Sequence, residues 1–158
     1  IRRAAREGYN LLLDQVGSID LTIERAAIFR EECARIGRPY DPMMVGATRG
    51  LQLLRNEGER KAALLTRVQV LQAIGTLARG RDAARYARPE AISTEMVAAD
   101  DAALLGTTPE VIERLARLEA GGVEFVLLVA PHPTIDELRQ FADEVMPAFA
   151  NTRTPVAS

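Results

Sequence analysis

Lysine is almost missing from this chain. Of its 20 basic residues 19 are arginine, and Lys61 is the lone lysine. A phosphate-binding GxxxxGK[ST] loop is therefore absent, and Schiff-base chemistry has a single candidate. Cysteine is equally scarce: Cys33 alone cannot close an internal disulfide, which suits a reducing compartment. The only histidine, His132, has neither a second histidine nor a Cys/Asp constellation near it in sequence, which argues against a metal site. No apolar run approaches the roughly 18–20 residues that a membrane helix needs. The opening IRRAAREGYN lacks the apolar core of a signal peptide. Charge of one sign is lacking too, since the net charge is -2, and no basic field attracts nucleic acid or anionic lipid. The expectation is a cytoplasmic protein with no nucleic-acid or membrane partner.

What is present is ordinary globular composition, 47% apolar and 27% charged over 158 residues. That excludes wholesale disorder, and the length suits one domain or part of one. Residues 1–150 read as that domain and 151–158 as a frayed tail. The text begins at Ile1 in the middle of a helical pattern, which reads as a truncated frame.

Residues 1–7 read as the end of a helix stopped by Gly8. Tyr9 to Leu13 is an apolar run broken only by Asn10, the mark of a strand buried on both faces. Asp20 to Ile36 is helical, with Ser18 or Asp20 as cap and with Leu21, Ile23, Ala27, Ile28 and Ala34 on or near one face. A second strand runs from about Met43 to Thr48, with a possible extension to Leu54. A long helix follows from Glu57 to Ala78, with Leu64, Val68, Leu71 and Ile74 as its stripe. Residues 81–103 read as a connection with one short helix near Thr94 to Ala103. Thr108 then caps a helix with Pro109 at its first position and Val111, Ile112, Leu115 and Leu118 buried. Val123 to Val129 is an apolar strand, and APHP breaks it. The last helix opens on a Thr134/Glu137 capping box and places Ile135, Leu138, Phe141, Val145, Met146 and Phe149 on one side.

Strands alternating with helices mean an α/β protein with parallel strands and crossover helices. About three strands do not make a finished parallel sheet, which needs both faces covered. A complete (β/α)8 barrel takes about 250 residues, so the chain reads as the C-terminal part of something larger.

The blocks IRRAAREGYNLLLDQ to MMVGATRG, then GTTPEVIERLARLEAGGVEFVLLV, then the closing helix, resemble the luciferase-like flavin-dependent monooxygenases and oxidoreductases. The resemblance spans almost the whole chain, least securely residues 80–103. It implies the C-terminal part of a (β/α)8 TIM barrel. It also implies reduced FMN supplied by a flavin reductase, or the deazaflavin F420, acting on a small organic substrate in a homo-oligomeric parent. The FMN version oxygenates and the F420 version transfers hydride. The family's flavin-phosphate loop would fall before Ile1.

Barrel enzymes place their sites at the carboxyl ends of the strands. Gln15, just after the first strand, is a candidate for the flavin ring edge or substrate; with Asp14 it is equally a turn or cap residue. Asn10 is a second cofactor-binding candidate, or a buried amide serving backbone. Arg49, at the end of the second strand, suits a phosphate or an anionic substrate, or an ordinary ion pair. His132, after the last strand, is the one acid/base candidate, set against a structural role in a proline-rigid loop. Cys33 is expected to be a buried inert thiol. Two other readings stand beside the flavoenzyme. The chain is a non-catalytic partial barrel or interaction module with an exposed strand edge, or it is a different βα barrel, for which the shortage of lysine disfavours Schiff-base types.

Overall fold

The computed structural model describes residues 1–78, 96–130 and 134–150, with the side chains of 75–78 left aside. In chain order the elements are α1 (Arg2–Arg6), β1 (Leu11–Leu13), α2 (Ile19–Arg35), β2 (Val45–Leu53), α3 (Arg60–Ala78), α4 (Met96–Asp101), β3 (Leu104–Gly106), α5 (Thr108–Ala120), β4 (Phe125–Val129) and α6 (Ile135–Gln140). A π turn, Phe141–Val145, and a 3-10 turn, Met146–Phe149, prolong α6.

All strand pairings are parallel and all involve β2. β1 lies along its first residues, Leu11 opposite Val45 and Leu13 opposite Ala47. β4 pairs with residues 46–50, Phe125 opposite Gly46 and Val129 opposite Gly50. β3 pairs with residues 51–53. The sheet therefore has four strands where the sequence suggests three. β3 has only three residues, too few to show a periodicity.

Side chains alternate across a strand, and the register sorts them into two sets. Leu11, Leu13, Val45, Ala47, Leu53, Val126 and Leu128 pack into a core with Ala26, Phe29 and Cys33 of α2, Val111 and Leu118 of α5, and Val145. Leu12, Gly46, Thr48, Gly50, Phe125, Leu127 and Val129 share the opposite face. There Leu12 is 60% exposed, Phe125 40% and Leu127 45%. The expectation that the first strand is buried on both faces is therefore corrected. Helices cover one face along its length, α3 reaches the other only near Gly50 and Leu105, and Tyr9, expected inside that strand, is exposed before it.

Local chemistry explains the helix ends. Gly8 takes φ +83 after α1, a conformation that a side chain would strain. The Ser18 hydroxyl accepts the Leu21 N–H and caps α2. α5 starts one residue earlier than the sequence suggests: Thr107 is the cap, and its N–H and hydroxyl both donate to the Glu110 carboxylate at 2.7 and 2.8 Å. The Thr134/Glu137 capping box is present. The single closing helix is not, because a wider turn interrupts it after Gln140. Ile135, Leu138 and Met146 are exposed, while Val145 is buried and Phe141 and Phe149 pack against the core.

The buried face of α2 is rotated from the expected one. Ile19, Thr22, Ala26, Phe29 and Cys33 line it, together with Glu32. Two polar residues in the stripe disguised it. Cys33 is free and buried, as a small apolar residue would be. The Glu32 carboxylate is 1% exposed and receives three guanidiniums: Arg6 at 2.6 Å, Arg35 at 2.5 Å and Arg2 at 3.4 Å. Bonds from Arg35 and then Arg6 hold its carboxyl far below the usual range. This cluster ties α1 to α2.

Two outcomes follow. A carboxyl with a depressed folded pKa stabilises the fold above its unfolded value, roughly 4–4.5, and that contribution is lost as pH falls toward the folded value. Glu32→Gln should therefore lower Tm at pH 7 and flatten the acid limb of Tm against pH; an unchanged acid limb would contradict the assignment. Gly121, after α5, lies against α2, where an added Cβ would sit 2.5 Å from Cγ1 of Ile23. Urea unfolding of Gly121→Ala should show a loss of about 1–3 kcal/mol, the usual cost of overpacking.

Candidate functional site

The carboxyl end of β1 lies beside the middle of β2, where the chain turns from β1 into α2. Asp14 organises that turn. Its carboxylate accepts the N–H groups of Val16 and Gly17 at 2.9 and 3.0 Å and a bond from Arg25 at 3.0 Å. Burial alone would raise this carboxyl, but the two turn N–H groups and Arg25 outweigh it and hold it below the ordinary range.

Two arginines grip the same turn. Arg49 is fully enclosed on the helix-covered face of β2. One terminal nitrogen donates to the carbonyls of Asp14 and Thr48 at 2.7 and 2.8 Å; the other donates to the hydroxyl of Thr22 on α2. That hydroxyl in turn donates to the Ser18 carbonyl at 2.9 Å. Burial pushes the Arg49 guanidinium down to about 10, so it stays charged at neutral pH.

Arg67, from α3, takes the next carbonyl along. Its two terminal nitrogens donate to the side-chain oxygen and the backbone carbonyl of Gln15, both at 2.8 Å. Its guanidinium lies on Gly50, where a Cβ would stand 2.4 Å from Nη1. Gly50 belongs to the open face of β2, so Arg67 meets the turn from that side and Arg49 from the helix side. Arg67 is 6% exposed, and burial lowers its pKa. Among the described residues neither Nε has a hydrogen-bond partner.

Among the sequence-derived candidates, Gln15 and Arg49 come together here. Asn10 does not. It is exposed at the amino end of β1, where its side-chain oxygen accepts from Arg38 at 3.3 Å. The same guanidinium also donates to the carbonyls of Ala5, Gly8 and Tyr9, which closes the end of α1. The strand starts one residue after Asn10, so its amide serves this cap and not a strand interior. His132 lies outside the described residues.

Sequence reasoning missed Arg67. The buried row of α3 is Ala63, Arg67 and Leu71, whereas the expected stripe was Leu64, Val68, Leu71 and Ile74. The available signal was an arginine four residues before Leu71, on the apolar side of an otherwise amphipathic pattern. Among the described residues no group of three His, Cys, Asp or Glu side chains is placed to hold a metal ion, and no helix is long and apolar enough to cross a membrane.

No family model matches the chain, and no curated protein does. Two monooxygenases are among the solved structures that share its fold. One is the monooxygenase RslO1 from Streptomyces bottropensis, 19% identical, with a TM-score of 0.57 over 94% of this chain and 44% of that one. The other is a type II Baeyer-Villiger monooxygenase, the oxygenating constituent of 3,6-diketocamphane monooxygenase from the CAM plasmid of Pseudomonas putida, in complex with FMN. It is 18% identical, with a TM-score of 0.57 over 98% of this chain and 46% of that one. The chain spans less than half the length of either, and the likeness is one of fold.

The Thr22 hydroxyl is the only side-chain acceptor that the described residues give Arg49. Thr22→Val should cost about 1–3 kcal/mol, the penalty for orphaning a buried donor, and Thr22→Ser should recover most of it. Equal Tm values for all three proteins would show that Arg49 is held by the carbonyls alone.

Proposed function

We propose that the chain forms part of a flavin-dependent monooxygenase of the luciferase-like type, with its strands belonging to a (β/α)8 barrel. One observation carries this reading: among the described residues, helices cover one face of the parallel sheet along its length, while α3 reaches the other face only near Gly50 and Leu105. Its other face is apolar and open at Leu12, Phe125 and Leu127. In a barrel that inner face packs against side chains from the remaining strands, and the site lies at the carboxyl ends. The fold shared with a monooxygenase in complex with FMN supports the same reading.

The residues at that end fit one side of a flat aromatic cofactor with a polar rim. Leu127 and Val129 offer an apolar wall, Thr48 a hydroxyl on the same face, and Gln15 a primary amide at the rim. The bound reduced flavin supplies the activation of oxygen and its delivery to an organic substrate. The chain's own residues orient the ring, exclude water from it and fix the turn that carries Gln15. A separate reductase supplies the reduced flavin, and the whole protein is a homo-oligomer.

The test is a flavin titration of the polypeptide that carries this segment, with FMN and F420 in parallel. Retention of FMN together with substrate-dependent oxygen uptake is expected. Retention of F420 alone would move the chemistry to hydride transfer, and retention of neither would remove the reading. Gln15→Leu should weaken FMN binding about tenfold, the worth of one good hydrogen bond.

A further inference from the structure

Among the described residues, the two buried guanidiniums that hold the β1–α2 turn are not matched by negative charge. Both are more than nine-tenths buried. Every acceptor that the described residues offer them is neutral: three backbone carbonyls, the amide oxygen of Gln15 and the hydroxyl of Thr22. Asp14 is the nearest carboxylate in this cluster, and it is already engaged by Arg25 and two turn N–H groups. Counting Arg25, Arg49 and Arg67 against Asp14 leaves an excess of two positive charges. Buried charge without a counter-charge is costly, and a focused positive field at the mouth of a sheet attracts anions.

The two arginines are not equivalent. Arg49 is sealed behind the sheet by α2. Arg67 lies on the open-face side, beside Gly50 of β2 and the carboxyl end of β4, and parallel α/β sheets take their ligands at such strand ends. Its seat is formed by the missing side chain of Gly50, and among the described residues its Nε has no acceptor. We infer that Arg67, seated on Gly50 and steadied by Gln15, anchors an oxyanion: the phosphate or carboxylate group of a small ligand entering this mouth. Arg49 adds to the field from behind without touching the ligand. A guanidinium suits this task because its planar fork matches both kinds of group. The inference needs no flavin, since any small ligand carrying such a group would satisfy it.

The test uses the 158-residue chain with inorganic phosphate and acetate as separate probes, each measured by calorimetry and by Tm against chloride at equal ionic strength. The wild type should bind at least one of them more tightly than chloride, and the order identifies the group. Gly50→Ala should weaken that binding at least tenfold, while the far-UV spectrum without added anion is retained. The new Cβ displaces only the end of a flexible side chain, and Gly50 has no positive φ. Arg67→Gln should weaken binding to the same degree. Arg3→Gln, which removes an equal charge from an exposed site, should leave it unchanged. No binding beyond chloride by the wild type, or equal binding by all four proteins, would overturn the inference. Phosphate binding without retention of FMN or F420 would leave it standing and remove the flavin reading.

Discussion

A parallel sheet cannot leave an apolar face in water at no cost, and this constraint governs the rest of the molecule. Every pairing runs through β2, whose alternate side chains face opposite ways. On one side Val45, Ala47 and Leu53 meet α2 and α5 in a close-packed core. On the other, Gly46 and Gly50 carry no side chains, and Leu12, Phe125 and Leu127 remain open. Buried apolar area stabilises by roughly 25 cal/mol per Å2, and the open face forgoes that gain until something lies on it.

The mouth of the sheet is organised by charge. Consecutive carbonyls, those of Asp14 and Gln15, are taken by guanidiniums from opposite faces of the sheet. This clamp fixes the turn after β1 and joins it to α2 through Thr22 and to α3 through Arg67. α3 is thereby brought to the carboxyl ends of the strands, near Gly50, and its smaller contact cluster with Ala103, Leu105 and Leu54 lies beside that end. A second charge network, Arg60 with Glu57, Glu110 and Asp100, and Arg114 with Asp100, binds α3 to the start of α5. Arginine performs almost all of this work, because its forked donors reach several oxygens at once.

Much of the architecture was legible in the sequence, and the exceptions share a cause. Apolar runs and caps located β2, β4, α2, α3 and α5, and alternation gave the parallel class. Faces were harder. The stripe of α2 was misplaced because Thr22 and Glu32 are buried to serve arginines, and hydrophobic periodicity does not register such residues. Leu12 reads as a core residue, yet among the described residues it is 60% exposed. β3 is too short to carry a period. Of the site, Gln15 and Arg49 were visible as polar residues following apolar strands. Arg67 was hidden among 19 arginines, and Asn10 was assigned to a strand that starts one residue later.

The central claim, that this sheet has one finished and one open face, is most directly tested by ANS fluorescence of the folded chain at neutral pH. The account predicts strong enhancement, largely abolished when Phe125 and Leu127 are both replaced by serine while the far-UV spectrum is retained. A folded wild-type chain that leaves ANS fluorescence at its buffer level would contradict it.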